Sequence, residues 1–133
     1  MVLRVVVVAA ASVLFASVSV ADSDETRGIY GTYSSLKYNE EGGDLLGYEF
    51  RFAPSKHVLK AIVQVSEGGI GEVFLVDVRK NGEKIEFDVP IARDFKASFI
   101  GTIQNGRLEG DIIYPTGSIE KISISRGRSY WDR

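Results

Sequence analysis

Short apolar–polar alternations, each cut off by a turn signal, dominate this chain and leave it few folds to choose from. Tyr48, Phe50 and Phe52 alternate with Glu49 and Arg51; Ile85, Phe87 and Val89 alternate with Glu86 and Asp88. Leu108, Ile112 and Tyr114 alternate with Arg107, Glu109 and Asp111. Period two is the signature of a strand with one buried and one wet face. Beyond the first twenty-one residues no amphipathic helical period is seen. The spacing predicts eight strands, near residues 28–34, 46–53, 58–66, 71–80, 83–91, 96–104, 107–114 and 118–126, with 35–45 a polar loop.

Three turns are specific enough to set register. Asn81-Gly82 and Asn105-Gly106 carry the residue pair that a two-residue type I′ hairpin needs, because both central positions take positive φ. The first predicts pairs whose numbers sum to 163, so that Val78 faces Ile85 and Asp77 faces Glu86. The second predicts a sum of 211, so that Ile103 faces Leu108, Phe99 faces Ile112 and Gly101 faces Gly110. Pro115-Thr116-Gly117 fits a three-residue hairpin that sets Tyr114 opposite Ser118, with Ile122 and Ile124 beside Gly110 and Leu108. Pro90 lacks an N–H and is expected to end or bulge its strand.

Consecutive hairpins without crossover helices make an antiparallel meander. Eight strands with one apolar face each favour an all-β, up-and-down closed barrel, the alternative being a two-sheet sandwich or half-barrel. The chain contains no cysteine. Its single domain, residues 28–133, must therefore hold together by burial and backbone pairing, without the disulfides common in small exported domains.

Export is the expectation from residues 1–21. Arg4 precedes an apolar run from Val5, and the small residues Ser19 and Ala21 stand before acidic Asp22. This is the layout of a signal peptide cleaved after Ala21, for a secreted or periplasmic protein. A retained anchor is the rival reading, with the run at the short end of the spanning range. Residues 22–27 are expected to lack fixed structure. With 16 Lys and Arg against 18 Asp and Glu, the formal net charge is −2. That balance argues against a nucleic-acid partner, which would need a clustered basic face, and against docking on anionic lipid after the leader is removed.

The meander, together with the opening Gly28-Ile29-Tyr30-Gly31-Thr32-Tyr33, resembles the calycin-type barrels that include lipocalins and avidin-like proteins. The ending Arg126-Gly127-Arg128-Ser129-Tyr130-Trp131 resembles small exported bacterial proteins of unknown function. The resemblance is architectural and implies a barrel. It does not carry a ligand across: Trp131 is the only tryptophan, so the rings that enclose biotin in avidin-like proteins are missing. Some exported barrels of this size inhibit lysozymes through a Ser-Gly-x-x-Tyr loop. The nearest segment here, Ser34-Ser35-Leu36-Lys37-Tyr38, lacks the glycine.

Five candidate features follow. The Gly101–Gly110 pair drops two side chains at one interior level beside Phe99 and Ile112. Either sheet coiling needs it or an aromatic such as Tyr33 or Tyr48 fills the space, or it is the floor of a pocket for a small apolar molecule, with Phe99, Ile112, Tyr33 and Tyr48 as its candidate ligand-binding neighbours. The aromatic tail, Tyr130 and Trp131, either folds back to close a barrel mouth or, with Tyr38 of the 35–45 loop, anchors an extracytoplasmic protein. Asp77, Glu86 and Asp88 crowd one wet face, where solvation with Arg79 and Lys84 competes with cation binding. His57, the only histidine, reads as a turn residue, and Gly68-Gly69-Ile70-Gly71 as a hairpin loop rather than a phosphate loop. No cofactor, metal set or catalytic group is implied. The sequence thus points to a non-enzymatic exported binding protein with a small apolar ligand in the barrel interior. The alternative is a protein-binding or enzyme-inhibitor module that uses loops or the tail.

Overall fold

The computed structural model of this chain describes residues 28–132; the leader and residues 22–27 lie outside them. Nine strands run in the order β1 (Gly31–Ser34), β2 (Lys37–Asn39), β3 (Asp44–Ala53), β4 (Leu59–Gly68), β5 (Val73–Asn81), β6 (Lys84–Ala92), β7 (Phe95–Gln104), β8 (Arg107–Ile113) and β9 (Ile119–Gly127). A short 3-10 turn, Tyr130–Asp132, follows. From β3 to β9 each strand pairs antiparallel with the next, and β1 pairs with both β3 and β9. This closes an eight-stranded, all-antiparallel up-and-down barrel, with β2 as one extra strand.

β2 arises from the segment expected to be a loop. Ser34 faces Glu49 and Lys37 faces Leu46, so the same register runs through both short strands. Ser35 N–H also donates to Tyr48 O at 2.8 Å. β1 and β2 are thus one interrupted arm of a hairpin whose turn is Glu40–Gly43. Buried Leu36 and Leu45 anchor it, two apolar positions masked in the sequence by polar neighbours.

The Asn105-Gly106 hairpin has the anticipated register. Gly101 faces Gly110 and Phe99 faces Ile112, and φ is +53° at Asn105 and +71° at Gly106. Pairing of β8 with β9 likewise sets Leu108 against Ile124 and Gly110 against Ile122. A bulge lies between Pro90 and Ala92.

The β5–β6 hairpin differs from its expected register. Of the two turn residues only Gly82 takes positive φ, at +62°, and the turn centres on Gly82-Glu83, with Asn81 paired to Lys84. Val78 therefore faces Phe87, not Ile85, and Arg79, not Asp77, faces Glu86. The slip is by two, so every side chain keeps its face. It also removes the anticipated like-charge crowding. Glu86 lies 3.1 Å from Lys84 Nζ and 3.8 Å from Arg79 Nε, Asp77 pairs with Lys60, and Asp88 pairs with Lys96 at 3.3 Å. These exposed pairs each contribute about 0–1 kcal/mol. Only four residue pairs join β5 to β6, against eight between β6 and β7.

Aromatic rings fill the barrel. Phe87 lies 5.2 Å from Phe50, 5.5 Å from Phe52 and 4.9 Å from Phe99, centroid to centroid. Tyr48 extends the stack from Phe50, and Tyr33 meets Phe52 edge-on. Tyr33, Phe50, Phe87 and Phe99 are fully buried, each such side chain contributing about 1.5–3 kcal/mol by burial. At the Tyr33 end, its hydroxyl donates to Ile29 O at 3.0 Å and accepts from Arg126 Nε and Nη2 at 3.2 and 3.0 Å.

The paired glycines are a place of close approach. A Cβ on Gly110 would lie 2.3 Å from Ile100 O and 2.8 Å from Phe99 Cε2; one on Gly101 would lie 2.1 Å from Glu109 O and 2.6 Å from Phe99 Cζ. Gly110→Ala is expected to lower unfolding stability by about 2–3 kcal/mol in urea titration. Gly127→Ala, whose added methyl would meet nothing within 4 Å, should change it by less than about 0.5 kcal/mol.

Candidate functional site

On the outer face of β3 and β4, Glu49 stands directly opposite Gln64. This polar pair holds Ser129, Tyr130 and Trp131 of the tail. Ser129 Oγ donates to Glu49 Oε1 at 2.6 Å and Tyr130 N–H to Glu49 Oε2 at 2.8 Å. Trp131 Nε1–H donates to Gln64 Oε1 at 2.7 Å, and Gln64 Nε2 in turn donates to Gly71 O at 2.8 Å. Ser129 and Gln64 are buried in consequence. The tail therefore lies along the barrel's outer wall, and the expectation that it closes a barrel mouth is corrected. The adjacent carboxylate and amide present the acceptors that the tail's N–H and O–H groups need.

Beside the tail runs a groove of about 470 Å³ lined by Trp131, Ile62, Ile70, Val73 and Arg51, among others. Its apolar residues are uncovered: Ile70 is 73% exposed, Val73 57% and Trp131 47%. Leu75, 67% exposed, stands directly opposite Ile62 and continues the patch along β5. Tyr130 meets Trp131 edge-on at 5.0 Å and braces it. Clustered exposed apolar side chains around an aromatic anchor mark an interaction surface more often than isolated ones do. Tyr38, also exposed, borders a separate shallow surface with Lys37, Asn39 and Leu46.

Inside the barrel, Gly101, Gly110, Phe99 and Ile112 do come together, and the level vacated by the glycines is taken by the Phe99 ring. Tyr33 and Tyr48 are not part of that cluster: they sit toward opposite ends of the ring stack. Tyr48 reaches the barrel mouth formed by the β4–β5 loop and the β8–β9 turn. There its hydroxyl donates to Glu120 Oε2 at 2.5 Å and also bonds the Tyr114 hydroxyl, which lies 3.2 Å from the same carboxylate oxygen. Burial, then the hydrogen bonds to Glu120 and Tyr114, hold the Tyr48 phenol well above its ordinary pKa. Burial also raises Tyr114; its hydrogen bond with Tyr48 opposes this, while the Glu120 and Glu67 charges add to it. His57 is exposed in the β3–β4 turn. Among the described residues no group of three or more His, Cys, Asp and Glu is placed to hold a metal ion.

Sequence reasoning did not single out Glu49, Gln64, Leu75 or Glu120. The run Val73-Phe74-Leu75-Val76 carried a signal, since a strand apolar on both faces has either two cores or an uncovered wall. Glu120 was also within reach, because the β8–β9 register places it opposite inward-facing Ile112.

Glu49→Ala should free the tail at a cost of about 2 kcal/mol in docking, two hydrogen bonds to a carboxylate being lost. Trp131 emission is expected to shift red and acrylamide quenching to rise, with the far-ultraviolet β spectrum unchanged. Because the folded Tyr48 and Tyr114 hold their protons more tightly than the unfolded chain does, the stability they contribute is complete below about pH 10 and is lost as pH rises above it. Urea unfolding from pH 8 to 11 should show that decline, and the Tyr48→Phe/Tyr114→Phe double variant should flatten it.

No protein-family model, curated protein or solved structure matches the chain, and the reading of its sites rests on its own geometry.

Proposed function

We propose that this chain is an exported, non-enzymatic binding protein whose contact surface is the outer-wall groove between the tail and β5. The observation that carries this reading is the uncovered apolar row Ile62, Leu75, Val73 and Ile70 beside half-exposed Trp131. Trp131 is held in place by Gln64 and by its edge contact with Tyr130, so little side-chain entropy remains to be lost on binding. Arg51 brings a positive charge to the groove and Glu49 and Asp132 bring negative ones, so its polar edge carries both signs. The partner is a protein presenting an apolar segment to this row, with charges of both signs at its edge to meet Arg51 and the two carboxylates. Filling of the interior by Phe50, Phe87 and Phe99 supports an external rather than an internal site. The closed barrel is consistent with a calycin-like architecture, in which a binding role is at home.

A photo-crosslinking residue at position 75, in protein expressed in its own host, tests the proposal. One discrete heterologous adduct is expected at position 75, none from position 109 on another strand, and loss of the adduct on Val73→Lys or Arg51→Glu. No adduct, or an adduct only with a second copy of this chain, would overturn it.

A further inference from the structure

The barrel mouth carries a second surface, independent of the outer groove. On β4, Glu67 follows Ala61, Val63 and Val65 along the inward-facing alternation; on β9, Glu120 precedes Ile122 and Ile124 along theirs. The two carboxylates therefore approach the mouth from different walls. Tyr48 and Tyr114 stand between them, and a recess of about 300 Å³ opens there. Leu46, Val65 and the two tyrosines give it apolar walls, and no lysine or arginine lines it. Glu120 is held by two phenols rather than by a cation. Hydrogen bonds from neutral phenols leave the full carboxylate charge in place, and Glu67 adds a second.

Oxygen atoms make up the polar side-chain lining: two phenols, two carboxylates and the Ser66 hydroxyl, which is engaged by Gly71 N–H. Such a set lacks strong donors once the two phenol protons are shared among Glu120 and the Tyr48–Tyr114 contact. Its complement is a group that brings donors and positive charge but no acceptor, which describes an ammonium. An aromatic wall adds to the attraction, since the faces of phenol rings favour cations. The apolar remainder of the recess suits a short hydrocarbon body. A hydrated inorganic cation matches this setting poorly, because it requires a cage of oxygens around it, while here apolar and aromatic side chains fill the walls between the two carboxylates.

We propose that the mouth recess binds a small organic amine in its protonated form, the ammonium facing Glu67 and Glu120 and the hydrocarbon part lying against Leu46, Val65 and the tyrosine rings. The proposal does not depend on the outer-wall reading.

The test uses n-hexylammonium as the probe and hexan-1-ol as its uncharged counterpart, with backbone amide shifts followed by NMR. Saturable shifts at Val65, Ser66, Glu67 and Tyr114 are expected with the ammonium at millimolar concentration, and none that saturate with the alcohol. Glu120→Gln and Glu67→Gln should each weaken binding at least fivefold. The Glu67 side chain makes no hydrogen bond among the described residues, so its variant keeps the test open if Glu120→Gln perturbs the mouth. Equal affinity for alcohol and ammonium, shifts confined to other parts of the barrel, or wild-type affinity in the Glu67→Gln variant would each overturn the proposal.

Discussion

Phe87 is the contact on which the rest of the molecule depends. Its ring meets Phe50 and Phe52 of β3 and Phe99 of β7, so one side chain ties opposite walls of the barrel together. With no disulfide available, cross-barrel packing of this kind replaces covalent stapling. It has a geometric condition. Phe99 can turn inward at its level only because Gly101 and Gly110 leave it room, with their backbones drawn close. A barrel this small fills itself with side chains, which leaves the outer wall and the mouth as its open surfaces.

Much of the architecture was legible in the sequence because its turns carry strong local chemistry. Asn105-Gly106 and Pro115-Thr116-Gly117 set their registers through residues whose backbone preferences act independently of tertiary context, and the Gly101–Gly110 pairing followed from the first of them. Asn81-Gly82 is the same dipeptide with a different outcome. Tertiary context placed the positive φ on Gly82 alone and moved the turn forward by one residue. A dipeptide signals that a hairpin turns there; which two residues occupy its centre is decided by what the flanking strands must bury. The short strand β2 was hidden for a related reason, since its residues are exposed and it owes its pairing to the neighbouring anchors Leu36 and Leu45.

The sites were less legible than the fold. Inward-facing residues declare themselves by alternation, but the outer wall has no such rule. Gln64 reads as a solvated polar residue until the tail is seen to cover it. Trp131 could be flagged as an unusual terminal aromatic, yet nothing local says which face of the barrel receives it. That choice is made by Glu49 and Gln64, roughly eighty and seventy residues earlier in the chain and opposed on neighbouring strands. Long-range polar pairing of this kind is invisible to periodicity and visible only once register is known. The same register brings Glu67 and Glu120 to one mouth from two separate hairpins.

Closure of the ring has a consequence for how the chain folds. The hairpins from β3 to β9 each join neighbours in sequence, so they can form one after another at little entropic cost. β1 must instead find β9, and Tyr33 and Arg126 lie 93 residues apart. Bringing such distant segments together costs roughly 4 kcal/mol in chain entropy, yet only two residue pairs join these strands. The Arg126 guanidinium, bonded to the Tyr33 hydroxyl and to Gly28 O, makes up for the short ladder. The seam between β1 and β9 is therefore the narrowest in the ring, and a single arginine acts as its clasp.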